Sequence, residues 1–193
     1  MLFVISAPSG AGKTTIVREL LKIHNDLIFS ISATTRKKRG TEVHGKDYFF
    51  LTSDEFNDKI KNNELVEYEN VYKNDYYGTL KSFIDESLNN SKNVIFDIDV
   101  KGALSIKKLY NGKAILIYIM PPDVETLKTR LINRATENQE DIQTRINRFD
   151  MELKQKEFFD YIVVNNELPA AVEEANKIII KYKNQQGELT NGY

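Results

Sequence analysis

Apolar positions in this chain alternate between short continuous runs and helical spacing, with polar stretches between them. Leu2-Phe3-Val4-Ile5-Ser6 is a strand-length run, and after a turn Ile16, Val17, Leu20, Leu21 and Ile23 recur at the spacing of one helix face. Val94-Ile95-Phe96 predicts another strand, ahead of a helix from about Val100 to Leu109. A strand over Ala114–Ile119 closes at Pro121-Pro122 and leads to a helix from about Asp123 to Asn133. Tyr161–Val164 predicts a further strand, followed by a last helix from about Pro169 to Tyr182. Strands that are apolar throughout are buried on both faces, and crossover helices bury them so in a parallel sheet. The predicted class is therefore α/β, a parallel sheet covered by helices on both faces.

Two stretches break the alternation. From about Phe29 to Thr79 the chain holds a strand-like Phe29–Ala33, a basic turn, Tyr48-Phe49-Phe50, a helix opened by the capping box Thr52-x-x-Glu55, and the segments Leu65–Tyr68 and Tyr76–Thr79. This predicts a small subdomain inserted at about 32–79, with the core at about 1–31 and 80–183. The second break, Arg134 to Ile142, is polar with almost nothing to bury, the composition of a lid spanning about 130–148. Residues 184–193 are polar and lack periodicity, and are expected to fray as a tail.

At 193 residues the chain is long enough for one domain with a real core. Its 27 basic and 28 acidic side chains nearly cancel, so no global field points to nucleic acid or an anionic membrane. Cysteine is absent, which removes disulfides and thiolate metal sites together. No apolar run approaches the ~18 residues of a membrane span, and no basic leader precedes the first strand. A soluble, cytoplasmic protein is the expectation; self-association stays open. His24 and His44 are unclustered and suggest no metal site.

The chemistry begins at Ala7-Pro8-Ser9-Gly10-Ala11-Gly12-Lys13-Thr14. A glycine-containing turn between a strand and a helix turns backbone N–H groups toward phosphate at the positive end of the helix dipole. Lys13 can reach the terminal phosphates, and the Thr14 hydroxyl can ligate magnesium. Asp97 and Asp99 end the Val94–Phe96 strand on the ligand-binding edge of a parallel sheet. Asp97 is placed to serve the metal through water, while the plain alternative for either is to cap the next helix. Arg36-Lys37-Lys38-Arg39, with Tyr48 and Tyr76-Tyr77 nearby, can grip a phosphate monoester or simply form a solvated surface. Around the proposed lid, Arg130 and Arg134 share helical spacing, as do Arg145 and Arg148; they can surround a migrating phosphoryl group or pair with Glu137, Glu140 and Asp141.

Several blocks in this order resemble bacterial-type guanylate kinases from about Leu2 to Tyr182. They are Ser6–Thr14, Ser32-Ala33-Thr34-Thr35-Arg36, Arg39-Gly40-x-Glu42-Val43-x-Gly45-Lys46-Asp47-Tyr48-x-Phe50, Tyr76-Tyr77-Gly78-Thr79, Asp97-Ile98-Asp99-Val100, Leu131-x-x-Arg134-x-Thr136-Glu137 and Val164-Asn165. The resemblance implies transfer of the γ-phosphate of ATP to GMP with Mg²⁺, on a core sheet carrying a GMP-binding subdomain and a helical lid. It implies that Ala7 to Thr14 hold the ATP phosphates, with Asn165 near the adenine. Arg36, Arg39, Tyr48 and Tyr77 would hold the GMP phosphate, and Ser32, Glu67, Thr79 and Asp99 would surround guanine. Arg134 and Arg145 would clamp the transferring group, with Arg130 close by, so that Lys13, Arg36, Arg134 and Arg145 carry the catalysis. Guanine chemistry agrees: ionised Glu67 and Asp99 can accept from N1–H and N2–H₂, while Ser32 or Thr79 can donate to O6. From sequence, Glu67 could equally be a surface glutamate.

The pattern is not complete. Ala7 stands at the first loop glycine, Lys101 where Gln commonly precedes Gly102, and Ala135 where Gly commonly follows the lid arginine; Lys73-Asn74-Asp75 holds an extra residue. The rival readings are a nucleoside monophosphate kinase for another base, a non-catalytic binding module of the same fold, and a nucleic-acid binder built on Arg36 to Arg39.

Overall fold

The computed structural model describes residues 1–8, 10–72, 75–132 and 154–190. In chain order the first half is β1 (Leu2–Ser6), α1 (Lys13–Ile23), β2 (Leu27–Phe29), β3 (Ala33–Thr34), β4 (Phe49–Phe50), α2 (Ser53–Lys61), β5 (Leu65–Tyr72), β6 (Asp75–Leu80) and α3 (Lys81–Asn89). The second half is β7 (Asn93–Asp97), α4 (Val100–Leu109), β8 (Ala114–Met120), α5 (Val124–Ile132), β9 (Tyr161–Val164) and α6 (Leu168–Thr190).

β1 lies at the centre of a five-stranded parallel sheet of order β2-β7-β1-β8-β9. Successive residues of a strand face opposite sides, so β1 feeds two cores. Phe3 and Ile5 pack with Ile16, Val17 and Leu20 of α1 and with Ala171, Ala175 and Ile179 of α6. Leu2 and Val4 pack on the other face with Ile84 of α3 and with Val100, Ala103 and Ile106 of α4. Both faces are covered, which is why the core strands are apolar without alternation. The expected α/β class is the observed one.

The insertion forms its own four-stranded sheet, order β4-β3-β6-β5, with β6 antiparallel to both β3 and β5. Its small core is Ala33, Phe56, Leu65 and Leu80. The capping box that starts α2 is present: the Glu55 backbone N–H donates to Thr52 Oγ1 at 3.2 Å, and the Thr52 N–H donates to Glu55 Oε2 at 2.7 Å.

Two expectations need correction. The strand expected over Phe29–Ala33 is divided between the sheets: Ser30 N–H still pairs with Ile95 O in the core, whereas Ser32 O receives Phe49 N–H in the insertion. The apolar stretch therefore marks a crossing between two sheets. The tail expected from residue 184 is helical as far as Thr190, because α6 runs from Leu168 to Thr190. Lys183, Asn184, Gln185, Gln186, Glu188 and Leu189 include mostly good helix formers, which outweigh the ~1 kcal/mol cost of Gly187. The lid expected over about 130–148 lies outside the described residues beyond Ile132.

Candidate active site

The loop between β1 and α1 sits at the carboxyl edge of the central sheet. Gly10 and Gly12 adopt φ of 92° and 94°, a region closed to most side chains, and Gly12 is the N-cap of α1. A Cβ at Gly12 would also collide with the Asn165 amide. Ala7, by contrast, is buried in the core and is not among the described residues with positive φ. Alanine is therefore accommodated at the first loop position without strain.

Lys13 Nζ donates to Ile98 O at 2.7 Å and pairs with Asp97 at 2.7 Å. Thr14 Oγ1 donates to the other Asp97 oxygen at 2.6 Å. The end of β7 thus brings one carboxylate to both Lys13 and Thr14, and Asp99 takes the capping role, accepting Gly102 N–H at 2.8 Å. Of the two readings open for these aspartates, the helix cap falls to Asp99. Behind the loop, Asn165 is 4 % exposed and its Nδ2 donates to Ala11 O at 2.7 Å. Arg130 Nη2 donates to Asn165 O at 3.0 Å, so α5 and the end of β9 brace the loop from one side. Arg130 Nη1 and Asn165 Oδ1 are buried without a hydrogen-bond partner among the described residues.

Facing the loop across a cleft of about 590 Å³ stands the insertion, with Thr14 and Asp97 on one wall and Ser32, Glu42 and Tyr48 on the other. Arg36 is buried at 7 % exposure, yet four of its five guanidinium N–H donors are engaged. Nη1 and Nη2 form a two-pronged bond to Glu42 at 3.0 and 2.8 Å, and Nε donates to Tyr77 Oη at 3.2 Å. Its Cζ lies 5.1 Å from the centre of the Tyr48 ring. The hydrogen bond to Glu42 raises the Arg36 pKa further, so it is a permanent cation. Arg39 is exposed and acts on Glu42 through charge and its backbone N–H. The basic run therefore separates into one buried arginine, one exposed arginine and two surface lysines.

Glu67 is no surface glutamate. It is half-buried on β5, and its Oε1 accepts the Thr79 hydroxyl proton at 2.7 Å. Burial pushes its carboxyl up to about 7, partly opposed by the Thr79 bond and reinforced by the charge of Asp99. Gly102 makes room for it, since a Cβ there would lie 3.2 Å from Glu67 Cγ. Thr79, itself 1 % exposed, spends its proton on Glu67. It is thus not free to donate to a base. Glu67, Asp99 and exposed Lys101 line a cavity of about 360 Å³ between β5 and α4.

The structure thus gathers Lys13, Thr14 and Asp97 at one edge and Ser32, Arg36, Tyr48 and Tyr77 opposite. Glu67, Thr79 and Asp99 form a third group. Ser9, Arg134, Arg145, Arg148 and Ala135 lie outside the described residues, as do Lys73 and Asn74. The residue whose role sequence reasoning missed is Glu42; the available signal was a lone acid three residues past a run of four cations.

A family model described as Guanylate kinase matches residues 1–182. The chain is 46% identical over 185 residues to a guanylate kinase of Bacteroides thetaiotaomicron, covering 96% of this chain and 91% of that one. It is 47% identical over 182 residues to one of Porphyromonas gingivalis, covering 94% and 97%. A crystal structure of guanylate kinase from Anaplasma phagocytophilum aligns with a TM-score of 0.71 and 25% identity, over 94% of this chain and 85% of that chain. Matches that run nearly end to end in sequence and in fold place this chain in the guanylate kinase family.

Proposed function

We propose that this chain transfers the γ-phosphoryl group of ATP to GMP, giving ADP and GDP. The observation that carries the reading is the two-walled cleft: Thr14 and Asp97 on the loop side face Ser32, Glu42 and Tyr48, the last two of which hold the buried Arg36. The acceptor is a phosphate oxygen, ionised at neutral pH, so no general base is required. The work is alignment and charge stabilisation, and holding both nucleotides together can lower the barrier by about 7–11 kcal/mol.

In this reading Gly10, Gly12, Lys13 and Thr14 present N–H groups to the donor phosphates and Lys13 neutralises their charge, while the Ala11 N–H closes the turn on Pro8 O. Arg36, Arg39, Tyr48 and Tyr77 hold the acceptor phosphate. Glu67 and Asp99 accept from guanine N1–H and N2–H₂, Thr79 fixes the Glu67 carboxylate, and Ser32 donates to O6. Adenine would set a carboxylate against a lone pair, and such mismatched hydrogen bonding discriminates by as much as roughly 10⁴-fold. Arg134 and Arg145 are assigned to the transferring group from the sequence. Arg130 Nη1 and Asn165 Oδ1, without a partner among the described residues, supply further polar valence beside the donor site.

Magnesium fits the residues present. Thr14 Oγ1 and the Asp97 carboxylate lie 2.6 Å apart, hard oxygen donors at the loop, and magnesium with nucleotides typically takes one or two protein oxygens plus phosphates. Thr14 would hold it directly and Asp97 through water, and the ion would supply charge neutralisation on the donor phosphates.

A coupled assay with Mg·ATP and GMP, AMP, UMP or CMP tests the proposal. GMP should be used at least 10²-fold better than the others, by kcat/KM. Preference for another acceptor would overturn the base assignment, and no turnover of any would overturn the activity.

A further inference from the structure

Glu42 lies in the turn that follows the basic run, and its carboxylate is the hub of that turn. Oε1 accepts Arg36 Nη2 at 2.8 Å, while Oε2 accepts both Arg36 Nη1 at 3.0 Å and the Arg39 backbone N–H at 2.7 Å. A guanidinium has five N–H donors in a fixed plane. Nε is given to Tyr77, Nη1 to Lys37 O and Glu42, and one Nη2 hydrogen to Glu42. Among the described residues these partners leave a single N–H on Nη2 for an incoming anion. The Tyr48 and Phe50 rings, with centres 5.1 and 5.7 Å from Cζ, restrict rotation of the plane that carries it.

We infer that Glu42 is a positioning residue for the acceptor phosphate: it aims the last free N–H of Arg36 and sets the turn that presents Arg39. The inference rests on the reading of the cleft as the GMP site. Burial makes the requirement sharper, since Arg36 without its counter-ion would be a charge stranded in an aromatic wall. The Arg36 and Arg39 bonds hold the Glu42 carboxyl down at about 2, so the arrangement persists throughout the physiological pH range. The opposite role for the same contact is competition, in which Glu42 occupies Arg36 until phosphate displaces it.

The test is calorimetric titration of GMP and of guanosine into the wild type and Glu42→Gln, with KM for both substrates measured alongside. Gln keeps the size but turns an N–H₂ toward the arginine fork. A positioning role predicts that Kd and KM for GMP rise by about tenfold or more, the scale of a lost charged hydrogen bond. Guanosine affinity and KM for ATP stay within about twofold, and kcat at saturating GMP falls less than KM rises. Unchanged GMP binding overturns the inference. So does tighter GMP binding, which would make Glu42 a competitor, and so does equal weakening of GMP and guanosine, which would make its role general support. Should the Gln variant not fold, Glu42→Asp carries the same comparison, with the charge kept at shorter reach and an intermediate loss of GMP over guanosine expected. A wild type that neither binds nor phosphorylates GMP would instead remove the proposed function itself, whatever the variants do.

Discussion

The two walls of the cleft are built in different ways. The phosphate loop is one contiguous segment at a helix N-terminus; Ala7 and Ala11 are sunk in the large core beneath α1 and α6, and two side chains are supplied with one carboxylate from β7. The acceptor wall collects Ser32, Arg36, Tyr48 and Tyr77, with the Glu67 group as a separate cavity of the same insertion, from several segments of a small sheet whose core is four residues. Backbone rigidity supplies precision on the first wall. On the second, side chains hold one another: Glu42 and Tyr77 hold Arg36, and Thr79 holds Glu67. A lesion in the first should therefore remove chemistry without disturbing the fold. In the second, binding and local stability should change together.

Lys13→Ala is the sharpest test of the first half of that contrast. Among the described residues the Lys13 ammonium has Asp97 and Ile98 O as its polar partners, both at the loop mouth, so the variant should keep the wild-type circular dichroism and a similar unfolding midpoint. Turnover should fall by about 10²–10³-fold, the usual cost of one charge-stabilising group. Activity within a few-fold of wild type would break the comparison, because the loop would then not be the donor site.

The same contrast explains what was legible in the sequence. Core strands announce themselves by being apolar throughout, and the loop by its glycines, because both depend on local chain properties. Asp97 could be placed at the sheet edge, although which aspartate capped the helix needed coordinates. The insertion was visible only as a break. The apolar run around Phe29–Ala33 crosses between sheets, and α3, with its amphipathic face shared by both cores, gave no separate signal. Glu42, and Thr79 acting through Glu67, were hidden because their roles lie in side-chain pairs, the first closed by the fold of a turn and the second by β-sheet register. No spacing rule encodes such pairs.

Glu67→Gln is expected to have the next largest effect, and it separates binding from stability. The Glu67 carboxyl titrates near 7 when folded against a reference value of 4.5, so the folded chain holds this proton more tightly. Its contribution to stability is full below pH ~4.5 and is lost as pH rises through ~7, by about 1–2 kcal/mol after allowing for partial solvent screening. Gln carries no such loss, so the variant should be more stable than wild type at pH 8 by about that amount and equal near pH 4. Guanine donors need the ionised carboxylate, so wild-type GMP affinity should rise about tenfold from pH 6 to pH 8. The variant should bind GMP about 10²-fold more weakly with no such slope. A pH-independent wild type would show that Glu67 does not meet the base.

Thr52→Ala gives the smallest effect and asks whether the two walls are also two units of stability. Alanine removes the Thr52 hydroxyl that accepts the Glu55 N–H and keeps the backbone N–H that donates to Glu55, and α2 carries Phe56, the centre of the insertion core. The cost should be about 1 kcal/mol, a fall of about 2–4 °C in Tm for a chain of this size, with kcat at saturating substrates unchanged. Hydrogen exchange locates the loss. If the small core opens by itself, amides of α2, β5 and β6 should exchange faster while those of β1, β7 and β8 keep their protection. Val66 and Phe83 argue the other way, because both also pack against the core on the α4 face, and through them the two sheets share side chains. Faster exchange in both sheets alike would mean that this shared packing outweighs the separate core. The acceptor wall would then be held by the whole fold, as the phosphate loop is.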